Sequence, residues 1–402
     1  MPRNSRLRRL AREEDGFSMV FVGLGFLGFL AASMLAIDVG MLMTARSQAQ
    51  NSADAAALAG ATALAFDNWD DRSATGPAVT STIAGGQANT VMSGQVSITA
   101  ADVEFPIDPL SGDANRVKAT VRRSAARGNP VSTLIAQYFG MKTADIIATA
   151  TAEAAAANAM TCVKPFTIPD KWIEHQTAPW DTSDTFDRYK KQGGSMLVIP
   201  NADVYEPQYL DIPTNKVPNP NYSGYNTEAN RGMQLVLRAS TGTNIQPSFF
   251  FSLAMTDDTG GDDYRWNIAN CNHSIYHVGD PLVQEPGNQA GPTVQGVAEL
   301  IAKDPGAYWE DSPCNCVKNS AYPERKSPRI FPIPLYDPDY YDYGHQTGRV
   351  ASLVTGNWIG YFVERIQGSS DIYGRIIPLA GIRDKTSPKG TASMPKSIRL
   401  VQ

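Results

Sequence analysis

Cysteine and histidine residues in the second half of the chain carry the clearest potential for chemistry. Cys271, His273 and His277 lie close together, and Cys314 and Cys316 form a second close group. Thiolate and imidazole groups are the usual ligands of zinc, so these residues form a candidate zinc set. Disulfide bonding is the competing interpretation, and it is the default for cysteines in an exported chain.

The complete cysteine set is Cys162, Cys271, Cys314 and Cys316. Four cysteines allow three disulfide connectivities, and all three stay open at this point. Because a bond between Cys314 and Cys316 would be strained, we expect Cys162 and Cys271 each to pair with a distant partner.

An acidic segment offers oxygen ligands for calcium. Asp257, Asp258, Asp262 and Asp263 surround two glycines, and carboxylate oxygens in such a loop suit calcium. The spacing and the closing glutamate of an EF-hand are absent. A solvated acidic turn is therefore the simpler interpretation, and a calcium loop is the alternative.

A tyrosine-rich and aspartate-rich segment follows later in the chain. It contains Tyr336, Tyr340, Tyr341 and Tyr343 among several aspartates. A surface turn is the simpler interpretation, because aspartate and proline favour turns. An exposed adhesive loop is the alternative.

Catalytic motifs are missing from the sequence. It contains no G-x-S-x-G, Walker A or H-E-x-x-H pattern, and only four histidines. We therefore expect no enzymatic activity and no cofactor. The net charge of −5 also argues against nucleic acid as a partner.

The element that must position these residues is the apolar segment from Phe17 to Ile37, which has no charged residue. As a helix it would cover about 30 Å, the thickness of the hydrocarbon core of a bilayer. Arginines precede it at positions 3, 6, 8, 9 and 12, and the next basic residue is Arg46. Basic flanks stay in the cytoplasm, so the remainder of the chain is predicted to be exported. A cleaved secretory signal is the alternative, which the long apolar core and the bulky Met34 disfavour.

The helix is predicted to continue beyond the membrane. From Asp38 to Phe66 there is no proline, and alanine recurs at every fourth position, at Ala45, Ala49, Ala53, Ala57, Ala61 and Ala65. Alanine favours helix, and residues four apart share a face. We expect a rod of about 50 residues. Its alanine face packs closely against another helix, or it covers the sheet of the next domain.

Small residues also form a stripe within the membrane segment. Gly28, Ala32, Ala36 and Gly40 recur every four residues. Such stripes allow membrane helices to approach closely, so we predict packing against a second copy or a partner helix. The alternative is that glycine and alanine are simply common in membrane helices.

Three patterns occur together near the start of the chain. Asp15-Gly16-Phe17 precedes the apolar span, Ile37-Asp38-Val39-Gly40 follows it, and ARSQAQNSADAAALAGA covers positions 45–61. Over about residues 8–65 this combination resembles the N-terminus of the TadE/TadG-like Tad/Flp pilus-assembly proteins. The resemblance implies a bacterial inner-membrane protein with an exported domain that serves an adhesive, type IV-like pilus.

One position departs from the pattern of cleaved pilins. A type IV prepilin carries glutamate at the fifth residue after the processing glycine, and counting from Gly16 this residue is Phe21. The resemblance therefore implies an anchored, TadG-like protein rather than a major pilin subunit. It also implies pilus-assembly membrane proteins or pilin subunits as partners.

We predict an α+β protein in four parts. Residues 1–16 form a basic cytoplasmic tail, 17–37 the transmembrane helix, 38–159 a helical extension with a pilin-like α+β region, and 160–402 a β-rich exported domain with long loops. The predicted location is the inner membrane, with a single crossing and the C-terminal domain in the periplasm or on the cell surface.

Within these parts, alternating apolar residues predict strands at 95–105, 115–123 and 145–154. Helical spacing predicts a short helix at 129–141 and another beginning at Gly291. The predicted function is non-catalytic assembly or anchoring of a Tad/Flp-type pilus. The alternative is a surface adhesin or ligand-binding module, with calcium dependence as an option.

Overall fold

The computed structural model describes residues 14–109, 114–208, 219–239, 244–255, 260–287, 289–323, 325–347, 353–368, 371–384 and 395–401. The helices within them are α1 (Glu14–Phe66), α2 (Pro77–Gln87), α3 (Thr227–Asn230), α4 (Gly261–Ala269), α5 (Ala290–Lys303) and α6 (Pro338–Gln346). The strands are β1 (Thr90–Val91), β2 (Gly94–Gln95), β3 (Val103–Glu104), β4 (Arg116–Arg123), β5 (Val131–Ser132), β6 (Thr143–Ala144), β7 (Ile146–Ala156), β8 (Ala159–Met160), β9 (Phe166–Pro169), β10 (Tyr189–Gln192), β11 (Ser195–Val198), β12 (Gln234–Ala239), β13 (Phe249–Ser252), β14 (Tyr276–His277), β15 (Pro281–Leu282), β16 (Tyr308–Glu310), β17 (Cys316–Lys318), β18 (Ile330–Tyr336), β19 (Leu353–Gln367), β20 (Asp371–Ile376) and β21 (Lys396–Val401).

Helix α1 is continuous over 53 residues, which corresponds to about 80 Å. It begins ahead of the apolar segment and ends at Phe66, so the prediction of one long rod agrees with the structure. In the part of the chain that the structure describes, α1 is the one helix long and apolar enough to cross a membrane. The basic residues at positions 3–12 lie outside the described residues.

The second half of α1 packs on an antiparallel sheet with strand order β21-β7-β4-β3. Ala45, Ala49, Ala53 and Ala57 are buried there, in one core with small residues of β7 such as Ala150. Alanine buries little area per residue, but it allows the helix and the sheet to approach closely. The alanine face therefore covers the sheet of the following region, which is one of the two arrangements that we expected.

Glycine makes the contact between α1 and α2 possible. A Cβ atom on Gly60 would overlap Thr82 Oγ1 and Val117 Cγ1, and one on Gly85 of α2 would overlap Ala59 of α1. Ser52 Oγ donates a hydrogen bond to the carbonyl oxygen of Gly86 over 2.7 Å. The two helices are thus held at backbone contact distance.

The C-terminal strand returns to this first sheet. Strand β21 pairs with β7 in antiparallel register, from Lys396 opposite Ala156 to Val401 opposite Thr151. The end of the predicted 160–402 domain therefore completes the sheet of the region before it.

The second region is built on a closed mixed sheet. The order is β15-β19-β18-β9-β13-β12-β20, and β20 also pairs with β19, which closes a ring of the last six strands. Strand β15 lies outside the ring, beside the start of β19. Two of its neighbouring pairs, β18 with β9 and β12 with β13, are parallel. Closure leaves the ring without free edges, and side chains fill its interior. These include Phe166, Leu235, Phe250, Ile333, Ile359 and Ile372.

The α+β class agrees with the structure, and so do strand β4 and helix α5 at their predicted positions. The short helix predicted at 129–141 is wrong. That segment forms β5, then a 3₁₀ turn at Ala136–Phe139, and it ends at Gly140 with φ +93°. The physical reason is a tertiary contact, described below. The carboxylate of Asp38 accepts backbone N–H groups of this segment that a helix over 129–141 would use for its own hydrogen bonds.

We expect Gly60→Ala to destabilise the folded region by about 1–3 kcal/mol, because the added methyl group overpacks the contact between α1 and α2. Gly40→Ala on the same helix is the matched control, since its Cβ would meet no atom within 4 Å. Thermal unfolding of the full chain in detergent measures both. An equal loss of stability in the two variants would contradict the close-contact role of Gly60.

Candidate functional site

The exposed half of α1 carries the predicted packing stripe. Gly28, Ala32, Ala36 and Gly40 are all exposed, and a Cβ on Gly28 or Gly40 would meet no atom within 4 Å. At about 100° per residue, Ala36 and Gly40 lie on the side of α1 opposite Asp38. This C-terminal half of the stripe therefore points away from the region that packs on α1, whereas Gly28 and Ala32 lie about 80° and 120° around the helix from Asp38. Within the described part of the chain nothing covers the two glycines.

Asp38 fixes a distant segment to α1. Its side chain is 3% exposed, and its two carboxylate oxygens accept the N–H groups of Leu134, Ile135 and Ala136 at 2.8, 3.0 and 2.5 Å. Three donors on one carboxylate satisfy the charge at the point where the apolar span ends. Sequence reasoning noted Asp38 as part of a motif but did not find this contact, because the partner lies almost a hundred residues away.

The cysteines form two disulfides. Cys162 pairs with Cys271, with Cα atoms 4.3 Å apart, and Cys314 pairs with Cys316 at 5.2 Å. Cys162 and Cys271 thus each have a partner distant in sequence. The expectation against a Cys314–Cys316 bond is wrong, because a turn with Asn315 at φ +49° brings its two ends together.

The structure does not gather the candidate zinc ligands into one group. His273 Nδ1 lies 3.6 Å from Cys271 Sγ, whereas His277 contacts Asp384 at 3.1 Å. Cys314 and Cys316 lie instead beside Glu310. Since these thiols are oxidised, disulfide bonding explains the cysteines in this structure.

Half of the candidate calcium loop lies outside the described residues, namely Asp257 and Asp258. Asp262 and Asp263 lie in the first turn of α4. Acidic residues at this end of a helix are stabilised by its dipole, which gives them a structural explanation. Calcium binding by the segment stays a prediction.

The tyrosine-rich segment is a helix rather than an exposed loop. Asp337 caps the N-terminus of α6 by accepting the N–H of Tyr340 at 2.9 Å. Tyr336 and Tyr341 are buried, and Tyr343 is exposed. The adhesive-loop interpretation is therefore wrong for the two buried tyrosines, which are part of a core.

A cleft of about 460 Å³ beside the Cys162–Cys271 bond is lined by four basic residues, Lys164, Lys303, Arg325 and Lys326. Lys164 Nζ donates to the carbonyl oxygens of Asn270 at 2.5 Å and Asn267 at 3.3 Å. Lys303 Nζ donates to the carbonyl oxygen of Ala269 at 2.5 Å. Burial, and then the charge of Lys303, lowers the pKa of Lys164 to about 7. Both lysines thus cap the C-terminus of α4, where cations are favoured.

A buried carboxylate was missed by sequence reasoning. Asp170 is fully buried and accepts hydrogen bonds from Tyr222 Oη at 2.7 Å, Tyr205 Oη at 3.0 Å, and the N–H groups of Lys171 and Tyr225. Burial raises its pKa to about 6, although these hydrogen bonds oppose the shift. Asp203 is also fully buried, and burial together with the like charge of Glu174 raises its pKa to about 6. No motif in the sequence indicates either residue, because the partners come from separate segments.

These features define an α+β protein with one candidate membrane span among its described residues and a folded region at the far end of that helix. Residues 16–63 match the family model described as putative Flp pilus-assembly TadE/G-like. The matched segment contains the stripe, Asp38 and most of the alanine face, so the resemblance stated for the N-terminal region is confirmed there. It supports a role related to the pilus. No curated protein matches the chain, and no solved structure matches it.

The raised pKa of Asp170 predicts a pH dependence of stability. The folded state holds this proton more tightly than the unfolded chain, whose carboxyl has the ordinary value of 3.8. Its stabilising contribution is complete below that value and is lost as the pH rises through about 6. Between pH 5 and pH 8 we expect a loss of about 1 kcal/mol from this group.

The variant Asp170→Asn measures this contribution, because an amide of similar size does not titrate in this range. Chemical unfolding of wild type and variant at several pH values should give a smaller slope for the variant. The pKa of Asp203 is also raised, so this residue should leave the variant with a residual dependence of its unfolding free energy on pH. Parallel curves for the two proteins would contradict the assignment.

Proposed function

We propose that the protein is a non-catalytic envelope protein that assembles or anchors a Tad/Flp-type pilus at the bacterial inner membrane. The observation that carries this proposal is the match of residues 16–63 to the pilus-assembly family model, which falls on α1, the one membrane-length helix among the described residues. A role in assembly requires contacts rather than catalysis. We therefore propose that the exposed surfaces of α1 and of the folded region bind the partner proteins.

The proposed mechanism is mechanical. The stripe Gly28, Ala32, Ala36 and Gly40 packs against a helix of another pilus-assembly protein or of a second copy. Its exposure supports this role, and so does the position of Ala36 and Gly40 opposite Asp38, because the protein's own folded region leaves that side open. The folded region then contacts pilin subunits or the envelope at a fixed height above the bilayer.

The proposed orientation places the N-terminus in the cytoplasm and the folded region in the periplasm or on the cell surface. The arginines before the apolar span support this direction. The two disulfides also support it, because such bonds persist in oxidising compartments.

The variant with both Ala32→Leu and Ala36→Leu should recover less of the pilus-assembly membrane proteins after gentle detergent extraction. Two leucines would separate the helices by several ångströms, which removes the close contact. Ala31→Leu is the matched control, because it is the same change about 100° around the helix on the Asp38 side. Unchanged recovery with the double variant would refute packing through the stripe.

Protease added to spheroplasts should cleave the folded region while leaving the residues before the span protected. Removal of the outer membrane gives access to the periplasm, and intact cells distinguish periplasmic from surface exposure. An epitope placed ahead of Gly16 in the full chain shows whether the residues before the span are protected, so one experiment tests both sides of the inner membrane. Protection of the folded region in spheroplasts would overturn the proposed orientation.

A further inference from the structure

We propose that the segment Leu134–Met141 is a second membrane contact, whose apolar side chains enter the headgroup region of the leaflet from which the folded region emerges. We name it the interfacial segment. The inference rests on the membrane crossing by α1 and is independent of the pilus role.

The position of the segment is set by Asp38. This residue directly follows the apolar span, and its carboxylate holds the backbone N–H groups of Leu134, Ile135 and Ala136. The start of the interfacial segment therefore lies beside Asp38, at the height along α1 where the apolar span ends. The lipid-facing surface of α1 extends past this level, since Ile37 is 52% and Met43 69% exposed.

The side chains of the segment are apolar and point away from the protein. Leu134 is 55% exposed, Tyr138 82%, Phe139 70% and Met141 60%. Four large apolar side chains within eight residues form an exposed patch that needs a partner. Aromatic residues concentrate at the boundary between hydrocarbon and water, which is where Asp38 places these two rings.

The patch is presented by a built hairpin. Strands β5 and β6 pair through Val131 with Ala144 and Ser132 with Thr143. At the base of the loop, Thr133 donates its N–H to the carbonyl oxygen of Lys142 at 3.1 Å and its hydroxyl to that of Met141 at 2.5 Å. Lys142 is exposed beside the apolar residues. An ammonium group at this place fits the phosphates of a lipid surface.

Lipid is a better occupant than a protein partner because the surface is continuous with α1. A bilayer that surrounds the apolar part of α1 necessarily reaches Asp38, and the patch lies there without any further binding event. Two contacts, one through the helix and one through the interfacial segment, restrict both tilt and rotation of α1 in the bilayer. Ala36 and Gly40, at the C-terminal end of the stripe, are then held facing the opposite direction.

The test uses the full chain in lipid nanodiscs with an environment-sensitive fluorophore on Phe139→Cys. Tyr308→Cys is the matched control, because Tyr308 is 52% exposed and lies near the far end of α1. That placement follows from Arg231, which donates to the carbonyl oxygens of Asp67 at 3.0 Å and of Asn315 at 3.2 Å, in the hairpin that includes Tyr308. The rise from Asp38 to Phe66 is about 42 Å.

Lipids with a nitroxide near the headgroup should quench the probe at Phe139 several-fold more strongly than the probe at Tyr308. The emission at Phe139 should also move to shorter wavelength. Tyr138→Cys provides a second reporter if the first variant folds poorly. Equal quenching at the two sites overturns the proposal, and so does a wavelength shift without quenching, which would indicate a protein surface over the segment.

A probe at Leu27→Cys, at the middle of the apolar span, separates the two proposals when its quenching is measured with lipids that carry the nitroxide deep in the acyl chain. Quenching at Leu27 without quenching at Phe139 overturns the interfacial segment alone. Loss of quenching at both positions overturns the membrane crossing on which it rests.

Discussion

The structure depends on one constraint, which is that α1 is a single uninterrupted helix in two different surroundings. Its first half exposes large apolar side chains such as Phe26 and Leu35, and its second half buries alanines against a sheet. No proline interrupts it. A helix without a break transmits tilt and rotation along its length, so the orientation of the folded region follows from the orientation of the span.

Small residues make the packing of the second half of α1 possible. In the folded region, alanine and Gly60 allow α1 to approach α2 and β7 closely, at the cost of little buried area per residue. Longer-range contacts therefore carry part of the attachment. Strand β21 pairs with β7 along six residues, and Arg231 donates to the carbonyl oxygen at the end of α1. The region that contains the closed sheet is thus attached to α1 and to the sheet that packs on α1 at two separate places.

Features with a local cause could be predicted from the sequence. The length of α1, its alanine face and α5 follow from periods of about four residues that the tertiary structure does not override. The ring of strands could not be predicted, because its parallel pairs join segments far apart, such as Leu335 with Ile168. The helix expected at 129–141 failed for a similar reason, since its apolar spacing is helical but Asp38 takes its N–H groups. The cluster around Asp170 likewise assembles only when separate loops meet.

Asp38 explains why the two sides of α1 have different roles. A carboxylate at the end of an apolar span needs either water or donors, and here three backbone N–H groups supply the donors. Through that contact, the side of α1 that carries Asp38 packs against the protein's own folded region. Because Ala36 and Gly40 lie on the other side, the contact that anchors the folded region leaves this end of the stripe exposed. On the helix packing proposed above, a partner at Ala36 and Gly40 would not compete with the contact at Asp38.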